Sequence, residues 1–296
     1  DPYTVYWDEQ EVEDARINNS GMYTGIGATV RNKDNKMIII EPFKGFPADK
    51  AGLKSGDEII KIGEITLLDN EGDASELLKG AANSKVKITY LRQGKTETTT
   101  LTRGAIDVDA VPFYQLINDD IGYIVLSKFN RKTTTETKAA LEDLKLQGAT
   151  KIILDLRGNP GGLLTEAINV VNLFVPKGAT IVTTKSAIKK YNKTYKTQKP
   201  AFDSEIPLVV LVNGRSASAS EIVSGGLQDL DRAVIIGARS FGKGLVQRPK
   251  ELTYGTQLKV TISRYYTPSG RCIQALDYWN RDENGDPIRL SANTYN

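Results

Sequence analysis

The chain has no histidine among its 296 residues, and this absence excludes more chemistry than any other feature of its composition. Without imidazole there is no Ser-His-Asp triad, no Cys-His pair and no zinc site that uses histidine. The single cysteine, Cys272, cannot form an internal disulfide and is expected to act as a small hydrophobic residue. We expect neither a metal nor a cofactor, so the hydrolytic chemistry that stays open is a carboxylate pair or a serine or threonine activated by lysine.

Long apolar runs and a strong charge of one sign are also lacking. No stretch approaches the roughly 20 apolar residues that span a bilayer, and the opening residues do not resemble a signal peptide. We therefore expect any export signal or lipid anchor to lie outside these residues. The 39 basic and 36 acidic residues leave a net charge of +3 with no basic face, so we do not expect nucleic-acid binding.

The first third of the chain is rich in short strands. Residues 1–23 are polar, include a short helical stretch, DEQEVEDARI, and are interpreted as the end of an N-terminal segment. Residues 24–104 predict a small α+β domain, with a polar turn at NKDN, an amphipathic helix at DASELLKGA (73–81) and a hairpin that turns at RQGK (92–95).

Two motifs in this region resemble a PDZ domain, GIGATV at 25–30 and FPADKAGLKSGDEIIKI at 46–62. In the first motif, Gly25, Ile26 and Gly27 would form the loop that binds a terminal carboxylate. The two glycines permit a close approach of backbone N–H groups, and the strand that follows would pair with a bound peptide.

Residues 105–296 follow a different pattern. After a linking stretch, GAIDVDAVPFYQL (104–116), strands and helices alternate, and the runs IILDL and LVVLV are apolar enough to be buried on both faces of a sheet. This alternation predicts an α/β core domain with a largely parallel sheet.

Ligands in such sheets bind beyond the carboxyl ends of the strands, and two motifs lie there. One is ILDLRGNPGG (153–162), in which Asp155 and Arg157 are expected to pair with each other. The other is NGRSASASEIVSGG (213–226), which contains three alternate serines. Ser218 and Glu221 have the spacing of a capping box, so the local interpretation of Ser218 is a helix cap.

A third motif, SFGKGLVQ (240–247), favours a different role for Ser218. Lys243 stands between two glycines, where the backbone packs closely and the side chain points inward. Lysine in water has a pKa of about 10.4, but burial lowers it, and a neutral amine can accept a proton from a serine hydroxyl. Gln247 lies on the same face of an extended segment and can hold the amine.

Taken together, these motifs resemble the C-terminal processing peptidases, or tail-specific proteases, over about residues 25–274. The resemblance implies an α/β core of the ββα-spiral type seen in crotonase and ClpP, with a PDZ domain before or within it. It implies that Ser218 is the nucleophile, that Lys243 is the general base and that Gln247 positions the lysine.

The same resemblance implies an oxyanion hole made by the N–H of Ala219 and by that of Gly161 or Gly162. It implies cleavage of polypeptides with free C termini, and a location in the periplasm or cell envelope. Homo-oligomer formation and membrane anchoring outside these residues stay open. Arg215 departs from the small residue that is more usual in the family, which could alter access to Ser218.

Three other functions compete with this interpretation. A peptide-binding scaffold with a peptidase-like core would use Ser218 only as a cap, and this alternative stays open. A trypsin-like protease with a PDZ domain is excluded because it needs histidine. An acyl-CoA enzyme on a related spiral fold would not explain the PDZ-like motifs.

Overall fold

A computed structural model describes residues 1–33, 36–69 and 74–289 of the chain. Within these residues the helices are α1 (Glu9–Ser20), α2 (Pro47–Lys50), α3 (Thr133–Leu146), α4 (Leu164–Phe174) and α5 (Ala219–Asp229). The strands are β1 (Val5–Trp7), β2 (Met22–Gly25), β3 (Ala28–Lys33), β4 (Lys36–Pro42), β5 (Glu58–Ile62), β6 (Ile65–Thr66), β7 (Lys85–Arg92), β8 (Lys95–Thr102), β9 (Gly104–Asp107), β10 (Phe113–Ile117), β11 (Ile121–Val125), β12 (Lys151–Asp155), β13 (Thr180–Lys185), β14 (Lys193–Lys196), β15 (Leu208–Val212), β16 (Val234–Gly237), β17 (Leu245–Glu251), β18 (Gln257–Tyr266), β19 (Leu276–Arg281) and β20 (Pro287–Arg289).

The chain divides into two compact units, one of residues 22–108 and one of residues 1–21 together with 109–296. The small unit is an antiparallel sheet in the order β3-β4-β5-β7-β8, with β6 beside β5 and a separate β2-β9 pair. Val86, Ile88 and Tyr90 alternate along β7 and are buried, because successive side chains of a strand point to opposite faces. The predicted hairpin is confirmed: Gln93 and Gly94 both have positive φ, as a two-residue turn requires.

The prediction of an amphipathic helix at 73–81 is wrong for the described residues 74–81. Residues 70–73 lie outside the described part of the chain. Only a single turn of 3-10 helix forms, at Glu76–Leu78. The Arg103 guanidinium accounts for this difference, because it donates to the carbonyl oxygens of Leu77 and Leu78 at 2.8 and 3.1 Å. These carbonyls are satisfied by a side chain instead of by a further helical turn.

The large unit contains a sheet in the order β10-β11-β12-β15-β16, in which β10 is antiparallel and the other four strands are parallel. The prediction of a largely parallel α/β sheet is confirmed. Leu154 on β12 and Val210 on β15 are fully buried in a core to which α3, α4 and α5 contribute.

A second sheet of the large unit is antiparallel, in the order β1-β18-β13-β14, with β17 also paired to β18. The first residues of the chain contribute β1 to this sheet and then form α1, which begins with a capping box between Asp8 and Glu11. The linking stretch at 104–116 is not a plain connection: it supplies β9, which pairs with β2, and β10, which pairs with β11. No helix among the described residues is long and apolar enough to cross a membrane.

Truncation of Asp57 to alanine should destabilise the small unit. Asp57 is 1% exposed, and its carboxylate accepts two hydrogen bonds from Arg92 and one from the Lys54 N–H. Removing one member of a buried ion pair typically costs about 3–5 kcal/mol. Urea denaturation of the full chain should show this loss in the free energy of unfolding. Glu58→Gln, which removes the exposed pairing with Lys36, is the control, and an equal effect of the two changes would contradict this account.

Candidate active site

Two loops meet at one edge of the parallel sheet. β12 and β15 are parallel neighbours, with Asp155 opposite Leu211, so the turns that follow them leave the sheet on the same side. Asn159, in the turn after β12, is fully buried, and its carbonyl oxygen accepts the Ala217 N–H and the Ser220 hydroxyl, each at 3.0 Å. The glycine-rich turn and the serine loop therefore form one hydrogen-bonded assembly.

The three alternate serines have different surroundings. Ser216 and Ser220 are fully buried, and their hydroxyls donate to the carbonyl oxygens of Leu156 and Asn159. Ser218 is only half-buried and adopts φ 55° and ψ −109° immediately before α5. A non-glycine residue at positive φ carries strain of roughly 1–3 kcal/mol, and such residues cluster at active sites. Of the three serines, Ser218 is the one placed to meet a substrate.

The turn after β12 packs directly on this serine. A side chain at Gly161 would place its Cβ 2.9 Å from both Ser218 Cβ and the Ala219 nitrogen, so only glycine fits. The Asn159 side chain holds the turn, because its Oδ1 accepts the Gly161 N–H at 2.8 Å and its Nδ2 donates to the Leu126 carbonyl at 2.8 Å.

The backbone N–H groups beside Ser218 differ in their availability. Ala219 is the first residue of α5, where an N–H has no acceptor inside the helix and helix polarity favours negative charge. The Gly161 N–H is already bonded to Asn159. The Gly162 N–H meets no acceptor among the described residues, and Gly162 lies against the Phe129 carbonyl so closely that no side chain fits.

Close packing of Gly242 and Gly244 orients the loop that carries Lys243. A Cβ on Gly242 would lie 2.2 Å from the Ala275 Cβ, and one on Gly244 would lie 2.1 Å from the Gln274 nitrogen. The buried Gln274 side chain accepts the Gly244 N–H at 2.9 Å. The expectation that the backbone is tightly packed on both sides of Lys243 is therefore confirmed.

Glu221 joins the serine and lysine loops. Its buried carboxylate accepts the Ser218 N–H at 2.7 Å and the Lys243 N–H at 2.8 Å on the same oxygen, Oε2. The other oxygen, Oε1, accepts the Ser240 hydroxyl and the Gly242 N–H. Burial raises the pKa of Glu221, although these four hydrogen bonds oppose the rise. The S-x-x-E spacing predicts only a helix cap for Glu221. It does not indicate the contacts of Glu221 to residues 240–243.

The Lys243 amine is half-buried. Burial lowers its pKa, the charge of Lys259 adds to this effect, and Glu221 opposes it. Nζ lies over the ring of Tyr3, 4.7 Å from the ring centroid. Among the described residues no hydrogen bond joins this amine to the Ser218 hydroxyl.

Gln247 does not hold the amine in this structure, in contrast to the role suggested by its position in an extended segment. Its side-chain amide donates instead to Thr261 Oγ1 at 3.3 Å. The pairing of β17 with β18 shifts register between Val246 and Gln247, and simple alternation of side chains does not anticipate such an irregularity.

Asp155 and Arg157 form the expected ion pair, with a shortest N–O distance of 2.7 Å. The Tyr123 hydroxyl also donates to Asp155 at 2.6 Å. Burial favours a raised pKa for Asp155, but the hydrogen bonds from Arg157 and Tyr123 outweigh burial and the pKa lies below its usual value. Arg215, the departure noted in the sequence, is exposed.

The expected carboxylate loop of the small unit also has unused donors. The carbonyl oxygens of Ile26 and Gly27 accept N–H groups from Ala48 and Phe43 at 2.7 and 2.9 Å. Their own N–H groups meet no acceptor among the described residues. Gly27 has φ +70°, and a side chain there would clash with Phe46. The loop leads directly into β3, which is an edge strand of its sheet.

These features combine a strained serine at a helix start and a lysine with a lowered pKa, whose backbone N–H groups bind one buried carboxylate, in a chain that also has a small unit with unused N–H donors. Comparison with known proteins gives the family, since the family model of peptidase family S41 matches residues 120–277 and the PDZ domain model matches residues 24–102. The chain belongs to peptidase family S41.

Among curated relatives, the chain is 38% identical over 277 residues to the carboxy-terminal processing protease CtpA of Bacillus subtilis, covering 92% of this chain and 58% of that protein. It is also 38% identical to the carboxy-terminal-processing protease of Bartonella bacilliformis, covering 93% and 64%. The chain thus spans about three fifths of the length of these relatives. Among solved structures, a photosystem II D1 C-terminal processing protease matches with a TM-score of 0.57 and 32% identity, covering 93% of this chain and 75% of that one.

Replacement of Asn159 by alanine should destabilise the large unit. The change leaves the Gly161 N–H and the Leu126 carbonyl without partners in a buried site, at a cost of about 2–4 kcal/mol. Asn213→Ala is the matched control, because Asn213 also accepts two N–H groups at this edge but is only half-buried. Urea denaturation should separate the two variants, and an Asn159→Ala protein as stable as the control would refute this assignment.

Proposed function

We propose that this chain is the catalytic part of a serine endopeptidase that binds the C-terminal region of polypeptides through its PDZ domain and cleaves them by a Ser-Lys mechanism. The observation that carries the proposal is the Glu221 carboxylate, which binds the backbone N–H of Ser218 and of Lys243 on one oxygen. It holds a strained, accessible hydroxyl and a lysine with a lowered pKa on adjoining segments.

In the first step, Ser218 Oγ attacks the scissile carbonyl carbon while the neutral Lys243 amine accepts the hydroxyl proton. Transfer requires the amine and hydroxyl to come within about 2.6–3.2 Å, so Nζ must approach Ser218 Oγ from its present position beside the Tyr3 ring. The ammonium then protonates the leaving amine, and an acyl-enzyme forms. Water attacks this ester with Lys243 again as base, which releases the product carboxylate and restores Ser218.

The negative oxygen of each tetrahedral intermediate would be stabilised by two N–H groups, those of Ala219 and Gly162. The sequence left Gly161 and Gly162 as equal candidates. The hydrogen bond from Gly161 to Asn159 favours Gly162. One such donor typically contributes about a hundredfold to a thousandfold in rate.

The sequence predicts that Gln247 holds the Lys243 amine. In the proposed mechanism Gln247 holds the amine only at a later step, or acts on it through another group. Its present partner, Thr261, also donates to the Asp1 carboxylate at 3.2 Å. A rearrangement at Thr261 would free the amide to hold the Lys243 amine once that amine turns toward Ser218.

Substrate capture is assigned to the PDZ domain, residues 24–104. The free N–H groups of Ile26 and Gly27 suit a terminal carboxylate, and the open edge of β3 suits pairing with an extended peptide. An internal peptide segment carries no carboxylate to use these donors. The alternative, a scaffold that binds peptides without cleaving them, would keep this domain and lose only the reaction.

Three finer assignments rest on the family resemblance. We infer a core of the ββα-spiral type, which the succession β10-β11-α3 supports as one ββα unit. We infer an extracytoplasmic location, in the periplasm or at the cell envelope. Homo-oligomer formation and a membrane anchor outside these residues are compatible with the longer relatives.

Ser218 should be the residue that a serine-reactive phosphonate modifies. The unchanged chain should cleave an unfolded polypeptide and gain the phosphonate mass on the peptide that contains Ser218. Ser218→Ala should abolish both, with cleavage reduced by about a thousandfold or more. Ser186→Ala, at a serine that is half-buried like Ser218, is the control. A chain that folds but neither cleaves nor reacts would favour the scaffold.

Amidation of the substrate C terminus should weaken cleavage. An amide lacks the charge that the Ile26 and Gly27 N–H groups would bind, so KM should rise by about tenfold or more while kcat changes little. A matched pair of peptides, with free and amidated termini, measures this directly. Equal KM values for the two peptides would discredit the PDZ assignment and leave the assignment of Ser218 intact.

A further inference from the structure

The first residues of the chain lie beside Lys243, although nothing in their sequence points to a role there. Tyr3 packs its ring against the lysine amine, with Nζ 4.7 Å from the ring centroid. The same ring meets Tyr278 edge to face, with 6.1 Å between the ring centroids. Burial, with a smaller contribution from Tyr278, raises the pKa of Tyr3, so its hydroxyl stays neutral at physiological pH.

Tyr3 is held in place by its neighbours in the chain. The Asp1 carboxylate accepts the N–H groups of Tyr3 and Thr4, and it also accepts the hydroxyl of Thr261 on β18. Thr4 Oγ1 in turn accepts the Thr261 N–H, and β1 then continues the pairing with β18. The ring position is therefore fixed by the same sheet that carries the Lys243 loop.

A cavity of about 730 Å³ lies next to this arrangement. Tyr278 and Leu245 line it, together with residues of β18, whereas neither Tyr3 nor Lys243 does. Tyr3 thus contacts a wall residue of the cavity on one side and the lysine amine on the other. Loss of the ring would remove the apolar face that now covers the amine and would expose the amine to more water.

We propose that Tyr3 is a positioning residue for Lys243, whose ring keeps water away from the amine so that it can act as a neutral base. This inference rests on the proposed Ser-Lys mechanism and adds a residue from outside the sequence motifs that suggested it. Tyr3 touches no reacting atom in the scheme and acts only through the lysine.

The Tyr3 ring has two opposite effects on the pKa of the Lys243 amine. Their relative sizes decide whether loss of the ring raises or lowers that pKa. At a half-buried site the contact of a cation with an aromatic face favours the ammonium by roughly two- to fivefold. Complete burial of a lysine weakens proton binding by roughly a thousandfold or more, and half of that pKa shift, for the half-buried Lys243, corresponds to about thirtyfold. Removal of the ring should therefore favour the ammonium overall, because the gain of water outweighs the loss of the contact.

A substitution of Tyr3 leaves the other charged groups near Lys243 unchanged. The Glu221 carboxylate accepts the Lys243 backbone N–H and raises the pKa of the amine, while Lys259 lowers it. Lys259 is itself held under the Trp7 ring at 4.8 Å, and Asp1 is bonded to Thr261. A shift seen only on changing Tyr3 is thus attributable to the ring.

The test compares Tyr3→Ala and Tyr3→Phe with the unchanged chain. For a base that must be neutral, kcat/KM rises with pH until the amine is deprotonated. Tyr3→Ala should move this rise to higher pH and lower kcat at pH 7 by about tenfold, with KM little changed and with recovery at high pH. Tyr3→Phe keeps the ring and should behave like the unchanged chain. Tyr6→Ala, at an exposed position of β1 three residues further on, is the matched control.

A second readout does not depend on catalysis. In a Ser218→Ala background, the rate of acetylation of Lys243 by acetic anhydride, followed against pH by peptide mass spectrometry, reports the neutral amine directly. The Tyr3→Ala change should lower this rate at pH 7 by about tenfold. If the unchanged chain cleaves no peptide, the proposed function fails. If it cleaves but Tyr3→Ala leaves both pH profiles unchanged, or increases activity at pH 7, the role of Tyr3 is overturned.

Discussion

The buried carboxylate of Glu221 is the interaction on which the rest of the candidate active site depends. It binds backbone N–H groups from two segments, the start of α5 and the loop before β17. Hydrogen bonds to an ionised acceptor are roughly twice as strong as neutral ones, and a carboxylate can accept several. Because three of the four Glu221 bonds are to backbone N–H groups, the loop positions are set independently of the side chains proposed to perform the chemistry.

The parallel sheet supplies the second constraint. Adjacent parallel strands bring the turns after β12 and β15 to one edge, and the fully buried Asn159 then locks the two turns together. Ser218 inherits its strained backbone from this arrangement, since its neighbours Ser216 and Ser220 are both anchored to the turn after β12. Strain at one residue is maintained because buried hydrogen bonds on either side over-determine its position.

The two units of the chain contain different kinds of binding group. The small unit contains an edge strand and two consecutive N–H groups that no carbonyl of the described residues accepts. Such groups are suited to an extended peptide with a carboxylate end. The large unit contains the hydroxyl, the amine and the buried acceptor, so binding and bond cleavage are assigned to separate parts of the chain.

Much of this protein was determined by sequence alone, for identifiable physical reasons. Apolar runs predicted the parallel strands because burial depends on local composition, and glycines at 242 and 244 predicted close packing because no other residue fits there. The absence of histidine left a carboxylate pair, or a serine or threonine activated by lysine, as the hydrolytic chemistry. Local patterns could not reveal contacts between distant segments: the bonds from Glu221 to residues 242 and 243, the Tyr3 ring over Lys243, the register shift that turns Gln247 to Thr261, and the Arg103 side chain that replaces a helical turn. Only the tertiary structure decides these contacts, because each one joins segments that are distant in the sequence. The identity of neighbouring residues does not specify which distant segments meet.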